Sequence, residues 1–417
     1  MTKVALFTSA YPYGSGESFV EAEVSIASKL GYEIDIWPLK AIGTARALPP
    51  NVRVNLDLAD RWAAPTFVRG AIRLPIDREF WSEFVKLTSE GRLKASISAL
   101  VVKSIQRLSI GRVFADLEPK LRGYDVLYSY WASFIPIGFA SLGESWSGGL
   151  RVSRGHGTDI YAYANPGSFV PYRAASWKRL DRLYLVSEHG LNYVKSHYDF
   201  PEERLHVSRL GALVGDTLVA RGEESSTVRI LTIGNAVAVK RLDLAIEACA
   251  ELAQLVEPRS VIWTHVGSGE LELAVSRLGS STASRVENFG FEMLGQLSHT
   301  EVLRLLRDTP ISLLLSVSAS EGIPVSQMEA MERGIPVVST LVGGVEELIK
   351  DTDSIGVSAD ASPREIALAM KSVLEGGASG VLGRQKILAQ YDLFKNVQKF
   401  YADLDCSSVR VTRPTAD

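Results

Sequence analysis

The sequence has few of the features that mark disulfide-linked, zinc-binding or nucleic-acid-binding proteins. Its 417 residues include two cysteines, Cys249 and Cys406, too few for a disulfide framework or a cysteine-based zinc site. With 45 basic and 48 acidic residues the net charge is −3, which argues against general nucleic-acid binding. We therefore expect no nucleic-acid partner and a reducing, cytoplasmic environment, with Cys249 packed in the core.

Long apolar runs are also scarce. The first residues hold too short an apolar run for a signal peptide and predict a strand instead. One charge-free run at 126–143 approaches the length of a membrane span, but Pro136 and three serines interrupt it. We expect a buried strand that enters a loop there, not a span.

Short apolar runs, by contrast, alternate with helical patterns along almost the whole chain. This alternation predicts parallel sheets with helices on both faces, in which ligands bind beyond the carboxyl ends of the strands. The predicted strands are 4–9, 33–39, 125–130, 150–153, 182–186, 206–210, 228–234, 260–266, 285–291, 311–317, 336–340 and 355–357.

The chain is too long for one core, and a polar stretch without periodicity interrupts it near its middle. We therefore expect an α/β protein with two doubly wound, Rossmann-like domains that face each other across a cleft. The expected parts are a first domain (1–213), a linker region (214–227), a second domain (228–382), a C-terminal helix that can pack back on the first domain (383–405) and a tail (406–417).

Residues 92–112 combine five basic residues and no acidic one with an apolar helical face. Two interpretations are open: a core-packed helix with a solvated basic face, or a helix that lies on an anionic membrane surface. The apolar face consists of Leu93, Ile97, Leu100, Val101, Ile105 and Leu108.

The most informative segment is 320–338, in which Glu321 and Glu329 lie eight positions apart. Apolar runs at both ends predict two strands with a short helix between them. Pro324 suits the first position of this helix and Gly334 suits its end. Glu321 then precedes the helix and Glu329 lies within it. Free backbone N–H groups between them can hold an anion while the carboxylates bind hydroxyls, a combination that fits a sugar nucleotide.

Lys240 and Arg241 follow the predicted strand 228–234 at a strand-to-helix turn. Cations at this position can neutralise a diphosphate. The alternative interpretation is an ordinary pair of basic side chains at the surface. Asp351 and Asp353 have the Asp-x-Asp spacing of some metal sites, but they follow a predicted helix. We interpret them as a turn and expect no metal site.

His156 lies between two glycines after the predicted strand 150–153, where it either lines a cleft or is structural. The loop 11–17, which contains Gly16, follows the first strand. It either approaches a phosphate or sugar or is an ordinary surface turn. Its glycine spacing is not that of a dinucleotide fingerprint, which argues against a NAD enzyme.

Together these residues resemble the retaining glycosyltransferases of the GT-B fold, glycosyltransferase family 4 (group 1), of the type that acts in bacterial polysaccharide assembly. The resemblance covers most of the chain and is strongest over 230–348. Glu321 and Glu329 match the Glu-x7-Glu motif of the family. The supporting matches are Lys240, His156, Gly267, Gly269, Gly295, Gly343 and Gly344.

The resemblance implies an acceptor-side first domain and a donor-binding second domain. Glu321 would hold hydroxyls of the donor sugar and Glu329 the ribose. Lys240 would stabilise the departing diphosphate, and His156 would approach from the opposite domain. The remaining donor-binding positions are Gly16, Arg241, Gly322, Ile323, Pro324 and Val325, with Pro324 lacking an N–H.

The implied reaction is metal-independent transfer, with no cofactor, from a nucleotide-sugar donor to a glycan or lipid-linked acceptor. It would serve exopolysaccharide, capsule or lipopolysaccharide synthesis, in the cytoplasm or at the inner face of the membrane. Many members have an arginine where this chain has Asn235, and Arg241 is a candidate substitute. A nucleotide-sugar epimerase of the same fold and a non-catalytic partner subunit remain as alternatives.

Overall fold

A computed structural model describes residues 2–14, 16–62, 64–143, 146–215, 226–377 and 379–405. The chain divides into two compact units. The first unit spans Met1–Ser208 and resumes at Val397, and the second unit spans Arg209–Asn396. Residues 209–213, which were expected in the first domain, thus belong to the second unit. Residues 216–225 of the expected linker and the expected tail 406–417 lie outside the described residues.

The strands of the described chain are all paired in parallel. In the first unit they are β1 (Lys3–Thr8), β2 (Glu33–Pro38), β3 (Val52–Val54), β4 (Val126–Ser129), β5 (Leu150–Gly155), β6 (Arg182–Leu185) and β7 (Leu205–Val207). In the second unit they are β8 (Thr227–Ile233), β9 (Ser260–Val266), β10 (Phe289–Met293), β11 (Leu313–Ser316), β12 (Val337–Thr340) and β13 (Ile355–Val357).

Helices connect these strands. The first half of the chain contains α1 (Ser18–Lys29), α2 (Asp57–Arg61), α3 (Ala64–Arg73), α4 (Arg78–Ser89), α5 (Leu93–Leu121), α6 (Ile135–Ser141), α7 (Arg173–Trp177) and α8 (Glu188–His197). The second half contains α9 (Leu242–Leu255), α10 (Glu272–Ala283), α11 (His299–Asp308), α12 (Val325–Glu332), α13 (Val345–Ile349), α14 (Pro363–Glu375), α15 (Val381–Gln390) and α16 (Leu393–Leu404).

Both sheets have the doubly wound strand order. The first sheet runs β3-β2-β1-β4-β5-β6-β7 and the second runs β10-β9-β8-β11-β12-β13. In each sheet the first strand is the third from one edge, and the order reverses beside it, between β1 and β4 in one unit and between β8 and β11 in the other. The prediction of two parallel α/β sheets is confirmed. Ligands of such sheets bind at the reversal points, beyond the carboxyl ends of the strands.

Helix α9 shows how the sequence pattern becomes packing in the second unit. Leu242, Ile246, Cys249 and Ala253 recur at helical spacing and are buried in the core together with the apolar residues of β8, β9 and α14. Cys249 is fully buried, as predicted, and burial raises the pKa of its thiol well above the ordinary value. It therefore acts as a small apolar side chain.

The charge-free run at 126–143 forms β4, a loop and α6, as expected. Among the described residues there is no helix whose length and apolar character would together suffice for crossing a membrane.

Helix α5 contains residues 93–112 of the basic segment, with Arg92 as the residue before its start, and packs within the first unit. Leu93, Leu100 and Val101 share an apolar cluster with Phe80 and Leu87 of α4. The structure therefore favours the core-packed interpretation of this segment. Several of its cations are also neutralised, since Arg92, Arg107 and Arg112 pair with acidic side chains.

The prediction of a single C-terminal helix over 383–405 is wrong, because the structure has two helices there, α15 and α16. The break lies at Tyr391 and Asp392. The Ala212 N–H donates to the Tyr391 carbonyl at 2.9 Å, and the Leu393 N–H donates to the Ala212 carbonyl at 3.0 Å. These backbone groups form a strand-like bridge and so cannot continue a helix.

A buried ion pair anchors α1 to the first sheet. Glu23 of α1 contacts Arg154 of β5 at 2.5 Å, and both side chains are about 2% exposed. Burial alone lowers the pKa of the Arg154 guanidinium, but Glu23 together with the nearby tyrosines Tyr128, Tyr130 and Tyr401 outweighs this and holds the pKa above its ordinary value. The guanidinium also lies 4.1 Å from the ring centre of Phe400 in α16.

Substitution Glu23→Ala should lower the free energy of unfolding of the first unit by about 3–5 kcal/mol, because it leaves a buried guanidinium without its counter-ion. The control is Glu21→Ala on the same helix, whose exposed pair with Arg46 is worth about 1 kcal/mol or less. Urea unfolding followed by circular dichroism measures both variants. Equal losses of unfolding free energy in the two variants would show that the buried pair stabilises the first unit no more than the exposed pair does.

Candidate active site

The second sheet reverses its strand order between β8 and β11. The loops that follow these two strands diverge and leave a crevice at the sheet edge. A small cavity at this point is lined by Thr232, Ile233, Gly234, Lys240, Leu242, His265, Leu315, Ser316, Val317 and Ser318. The Ala319 N–H donates to the Val239 carbonyl at 2.8 Å and ties the two loops together.

Lys240 and Glu321 meet across this crevice. The Lys240 Nζ lies 2.5 Å from the Glu321 Oε1, and both side chains are partly buried, at 26% and 14% exposure. Lys240 ends a single turn of 3₁₀ helix, Ala238–Lys240, which follows β8. The sequence thus placed both residues correctly at the ends of neighbouring strands. One ammonium group and one carboxylate in contact offer a cation for phosphate oxygens beside an acceptor for hydroxyls.

The loop that carries Glu321 is held by Gly343 and Gly344. The Gly344 N–H donates to the Gly322 carbonyl at 2.7 Å. Gly343 has a φ of +56°, and a Cβ added there would lie 1.9 Å from the Glu321 carbonyl oxygen. A side chain at Gly343 would therefore push the Glu321 loop away from its position. These two glycines, singled out from the sequence, support Glu321 through backbone contacts.

Helix α12 begins directly after this loop. Pro324 is the residue before the helix and not its first residue, a shift of one position from the expectation. Its carbonyl accepts from the N–H groups of Gln327 and Met328. The N–H groups of Val325 and Ser326 precede these first helical bonds, at the positive end of the helix. Gly334 follows the helix with a φ of +76° and ends it, as predicted.

Glu329 lies on α12 and is almost fully buried. Its Oε1 is 2.6 Å from the Nε2 of His299, the first residue of α11. Ser298 and Glu301 form a capping box that fixes the start of α11 and so the position of His299. Sequence reasoning missed His299. The Ser-x-x-Glu signal for a helix start beyond β10 would have placed it at the same sheet edge.

Arg241 is held in the left-handed region, with a φ of +47°. Its guanidinium donates to three carbonyls, those of Val317 at 2.5 Å, Ala359 at 2.7 Å and Ser318 at 3.3 Å. A diphosphate would have to compete with these bonds. Asn235 is exposed on the neighbouring loop. That Arg241 compensates for Asn235 stays a prediction, whereas its role in shaping the loops is visible in the structure.

His265 is a second residue that sequence reasoning missed. It lies on β9, lines the cavity with Lys240 and is fully buried. Burial lowers the pKa of His265 to about 4, which outweighs the opposing effect of its bond to Thr232. The side chain is therefore neutral at physiological pH and adds no charge beside Lys240.

Asp351 and Asp353 lie in the turn after α13, as interpreted from the sequence. The Asp353 Oδ1 accepts from the Gly383 N–H at 3.2 Å. In the part of the chain that the structure describes, no three or more His, Cys, Asp or Glu side chains gather as a metal site would require.

In the first unit the loop after β1 forms an anion-binding turn that Glu17 fills. The Glu17 carboxylate accepts from the N–H groups of Ser9, Ala10 and Tyr11 and from the Trp131 Nε1. Gly16 is exposed beside it. Because an internal carboxylate occupies these backbone donors, a phosphate would need other partners in this loop. A donor contact at Gly16 stays a prediction.

His156 follows β5 in the first unit and is 9% exposed. Its N–H donates to the Asp159 Oδ1 at 2.8 Å, and its ring stacks on Tyr130 and tilts against Trp131. Burial raises the pKa of Asp159, but contacts with His156 and with the Ala132 N–H outweigh this and hold the pKa below its ordinary value. Asp159 is thus a fixed anion that orients the His156 loop.

This chain is similar to known glycosyltransferases both in its sequence and in its fold. The family pattern of glycosyl transferases group 1 matches residues 219–387. The amylovoran biosynthesis glycosyltransferase AmsK of Erwinia amylovora is 31% identical over 400 residues, which cover 91% of this chain and 92% of AmsK.

Two solved structures share the fold across nearly the whole chain. The lipopolysaccharide outer core galactosyltransferase WaaB superposes with a TM-score of 0.66 at 12% identity, covering 97% of this chain and 100% of WaaB. The Anabaena protein HepE in complex with UDP-glucose superposes with a TM-score of 0.64 at 13% identity, covering 98% and 100%. The GT-B fold expected from the sequence is therefore confirmed.

Since AmsK and this chain correspond over about nine-tenths of both lengths, and the group 1 pattern falls on the unit that carries Lys240, Glu321 and Glu329, this protein belongs to the glycosyltransferases of group 1.

Proposed function

We propose that this glycosyltransferase is a retaining enzyme of family 4 that transfers a sugar from a nucleotide-sugar donor to a saccharide or lipid-linked acceptor. The observation that carries the proposal is the contact between Lys240 and Glu321 at the reversal point of the second sheet. Next to it, α12 presents free N–H groups and the buried carboxylate of Glu329. Lys240 and the N–H groups match a diphosphate, Glu321 matches a sugar, and Glu329 matches a ribose.

In the proposed reaction, the bond between the anomeric carbon and the diphosphate breaks while an acceptor oxygen bonds to the same carbon. The acceptor proton passes to the departing phosphate oxygen, so no separate carboxylate base is required. Lys240 and the N–H groups before α12 stabilise the charge that develops on the diphosphate. Because these groups supply fixed positive charge, we propose that the enzyme needs no metal. Glu321 holds the sugar hydroxyls, so the reacting carbon stays in position.

The proposed biological setting is the synthesis of an exopolysaccharide, capsule or lipopolysaccharide. Support comes from the relatives, since AmsK is named for amylovoran biosynthesis and WaaB for the lipopolysaccharide outer core. HepE was crystallised with UDP-glucose, which supports a nucleotide-sugar donor for this chain.

The test is a product assay with a panel of nucleotide sugars and a lipid-linked saccharide acceptor, after a thermal-shift screen selects the donor. Transfer with retention at the anomeric carbon supports the proposal. Transfer with inversion refutes the retaining mechanism, release of an epimerised nucleotide sugar supports the epimerase alternative, and no turnover of any donor supports the non-catalytic subunit.

Glu321→Ala and Lys240→Ala are each expected to lower turnover by about a hundredfold or more, the scale of losing one preorganised electrostatic contact. Lys371→Ala is the matched control, because Lys371 forms a surface pair with Glu375 in the same unit. Steady-state rates on protein whose fold is verified by circular dichroism provide the measurement. Rates close to wild type in both site variants would refute the site.

Glu329→Ala should raise the KM for the donor by roughly 10- to 100-fold, the effect of losing hydrogen bonds to a charged group. If Glu329 binds the ribose, nucleotides with and without ribose hydroxyls will bind Glu329→Ala almost equally, whereas the wild type will prefer the ribonucleotide. Calorimetry with the nucleotide found in the donor screen decides this. His299→Ala should raise KM more than it lowers kcat, since His299 contacts Glu329, the residue proposed to hold the ribose.

Arg241→Ala should destabilise the second unit, because three loop carbonyls lose their donor. If Arg241 also binds the diphosphate, donor affinity will fall and the added substitution Asn235→Arg will restore it. An affinity loss that Asn235→Arg does not reverse assigns Arg241 to loop anchoring alone. Unchanged affinity and turnover in Arg241→Ala would refute the compensation hypothesis.

A further inference from the structure

Helices α3 and α4 of the first unit, with the 3₁₀ turn Leu74–Ile76 between them, present a row of large apolar side chains to solvent. We name this the exposed row. Its members are Val68 (58% exposed), Ile72 (72%), Ile76 (82%), Trp81 (47%) and Val85 (64%). Single exposed apolar residues are ordinary, but five within eighteen consecutive positions form a patch of the kind that marks an interaction surface.

The packing of α3 shows that this row points away from the core. Gly70 is the contact point with α5, since a Cβ there would lie 2.5 Å from the Ser109 Oγ and 2.8 Å from the Ile105 carbonyl oxygen. Val68 and Ile72 lie two positions to either side of Gly70, which places them on the opposite face of the helix. No repacking of α3 on α5 could bury them without removing the Gly70 contact.

The row continues from α3 into α4. The Trp81 Nε1 donates to the Pro75 carbonyl at 2.8 Å, so the indole lies beside the residue that precedes Ile76. The indole also packs edge-on against Phe80 and Phe84 of the same helix. Val85 follows Trp81 by four positions and shares its face.

Basic side chains flank the exposed row. Arg69 and Arg73 lie next to it on α3, and the segment 64–76 contains no acidic residue. Arg78 and Lys86 are exposed on α4. The acidic residues of α4 and its two caps are Asp77, Glu79, Glu83 and Glu90. Asp77 and Glu79 share one partner, Arg107 of α5, and Glu90 pairs with Arg92, so two guanidinium groups offset two of these four carboxylates and the four exposed cations outnumber the rest. The surface around the row therefore carries net positive charge.

We propose that the exposed row of α3 and α4, and not the basic helix α5, binds an anionic membrane surface. Such a surface binds apolar side chains that enter the boundary between headgroups and acyl chains. Its acidic headgroups also bind the cations that flank these side chains. Helix α5 buries its own apolar face and pairs three of its five cations, so it meets both requirements less well than the exposed row.

A second copy of this chain is a poorer occupant for the same surface. A two-fold contact through the row would bring Arg69, Arg73, Arg78 and Lys86 of both copies together. Like charges at such an interface repel, whereas anionic lipids neutralise them. The proposal goes beyond the assigned sugar transfer and does not depend on which donor the enzyme uses.

The test is sedimentation of the full-length protein with vesicles of phosphatidylcholine alone or of equal parts phosphatidylcholine and phosphatidylglycerol. The wild type should bind the anionic vesicles at least about tenfold more strongly, and added salt should weaken this binding. Ile72→Ser with Ile76→Ser, and separately Arg69→Gln with Arg73→Gln, should each reduce binding by about tenfold or more.

Two double variants serve as matched controls. Leu273→Ser with Leu368→Ser removes two exposed leucines of the second unit. Lys94→Gln with Lys103→Gln removes two exposed cations of α5. Both should bind like the wild type. Trp81→Phe should bind vesicles but lose most of the fluorescence quenching caused by brominated lipids, because Trp81 is the indole within the row.

Four outcomes would overturn the proposal. They are no binding of the wild type to anionic vesicles, unchanged binding of the Ile72/Ile76 variant, loss of binding only in the Lys94/Lys103 variant, and a wild-type dimer that the Ile72/Ile76 substitutions convert to a monomer. Sugar transfer to a water-soluble acceptor should be unchanged in the Ile72/Ile76 variant. Failure of membrane binding is thus distinguishable from failure of the catalytic assignment.

Discussion

The ion pair between Lys240 and Glu321 joins two residues that are far apart in sequence, and it exists because of how a parallel sheet is built. The carboxyl ends of parallel strands lie at one edge, and the loops of β8 and β11 diverge where the strand order reverses. The chain places a cation after one of these strands and a carboxylate after the other. Their 2.5 Å contact therefore follows from sheet topology, and the other residues of the candidate site are arranged around it.

Around this pair, the loops are positioned by backbone contacts. Gly343 and Gly344 rest against the backbone of Glu321 and Gly322, and a Cβ at Gly267 would lie 2.0 Å from the Gly234 carbonyl oxygen. Arg241 spans three carbonyls of the same edge. Main-chain contacts of this kind allow less movement than contacts between long side chains, so they preorganise the charged groups. In this site the chemistry of a few side chains depends on glycine and carbonyl geometry.

The first unit uses the same topology for a different electrostatic arrangement. Its loop after β1 presents backbone N–H groups at the reversal point, but the Glu17 carboxylate binds them. Glu17 in turn holds the indole of Trp131, which contacts the ring of His156. One unit thus leaves helix N–H groups available to a ligand, whereas the other satisfies its loop N–H groups internally. Two sheets of the same strand order can therefore serve different binding roles.

The sequence by itself determined the two parallel sheets, the position of Glu321 before a short helix and of Glu329 within it, and the burial of Cys249. These features depend on local periodicity, proline and glycine positions, and strand ends, all of which are encoded over a few residues. Only the tertiary structure decided which side chains meet. Contacts between distant segments determine the partners of Glu329 and Arg241, the filling of the β1 loop by Glu17, and the break between α15 and α16.

The same holds for α5, because its amphipathic pattern was compatible with a membrane surface or a protein core. Only the packing of α3 and α4 against it shows which apolar faces are buried and which remain exposed.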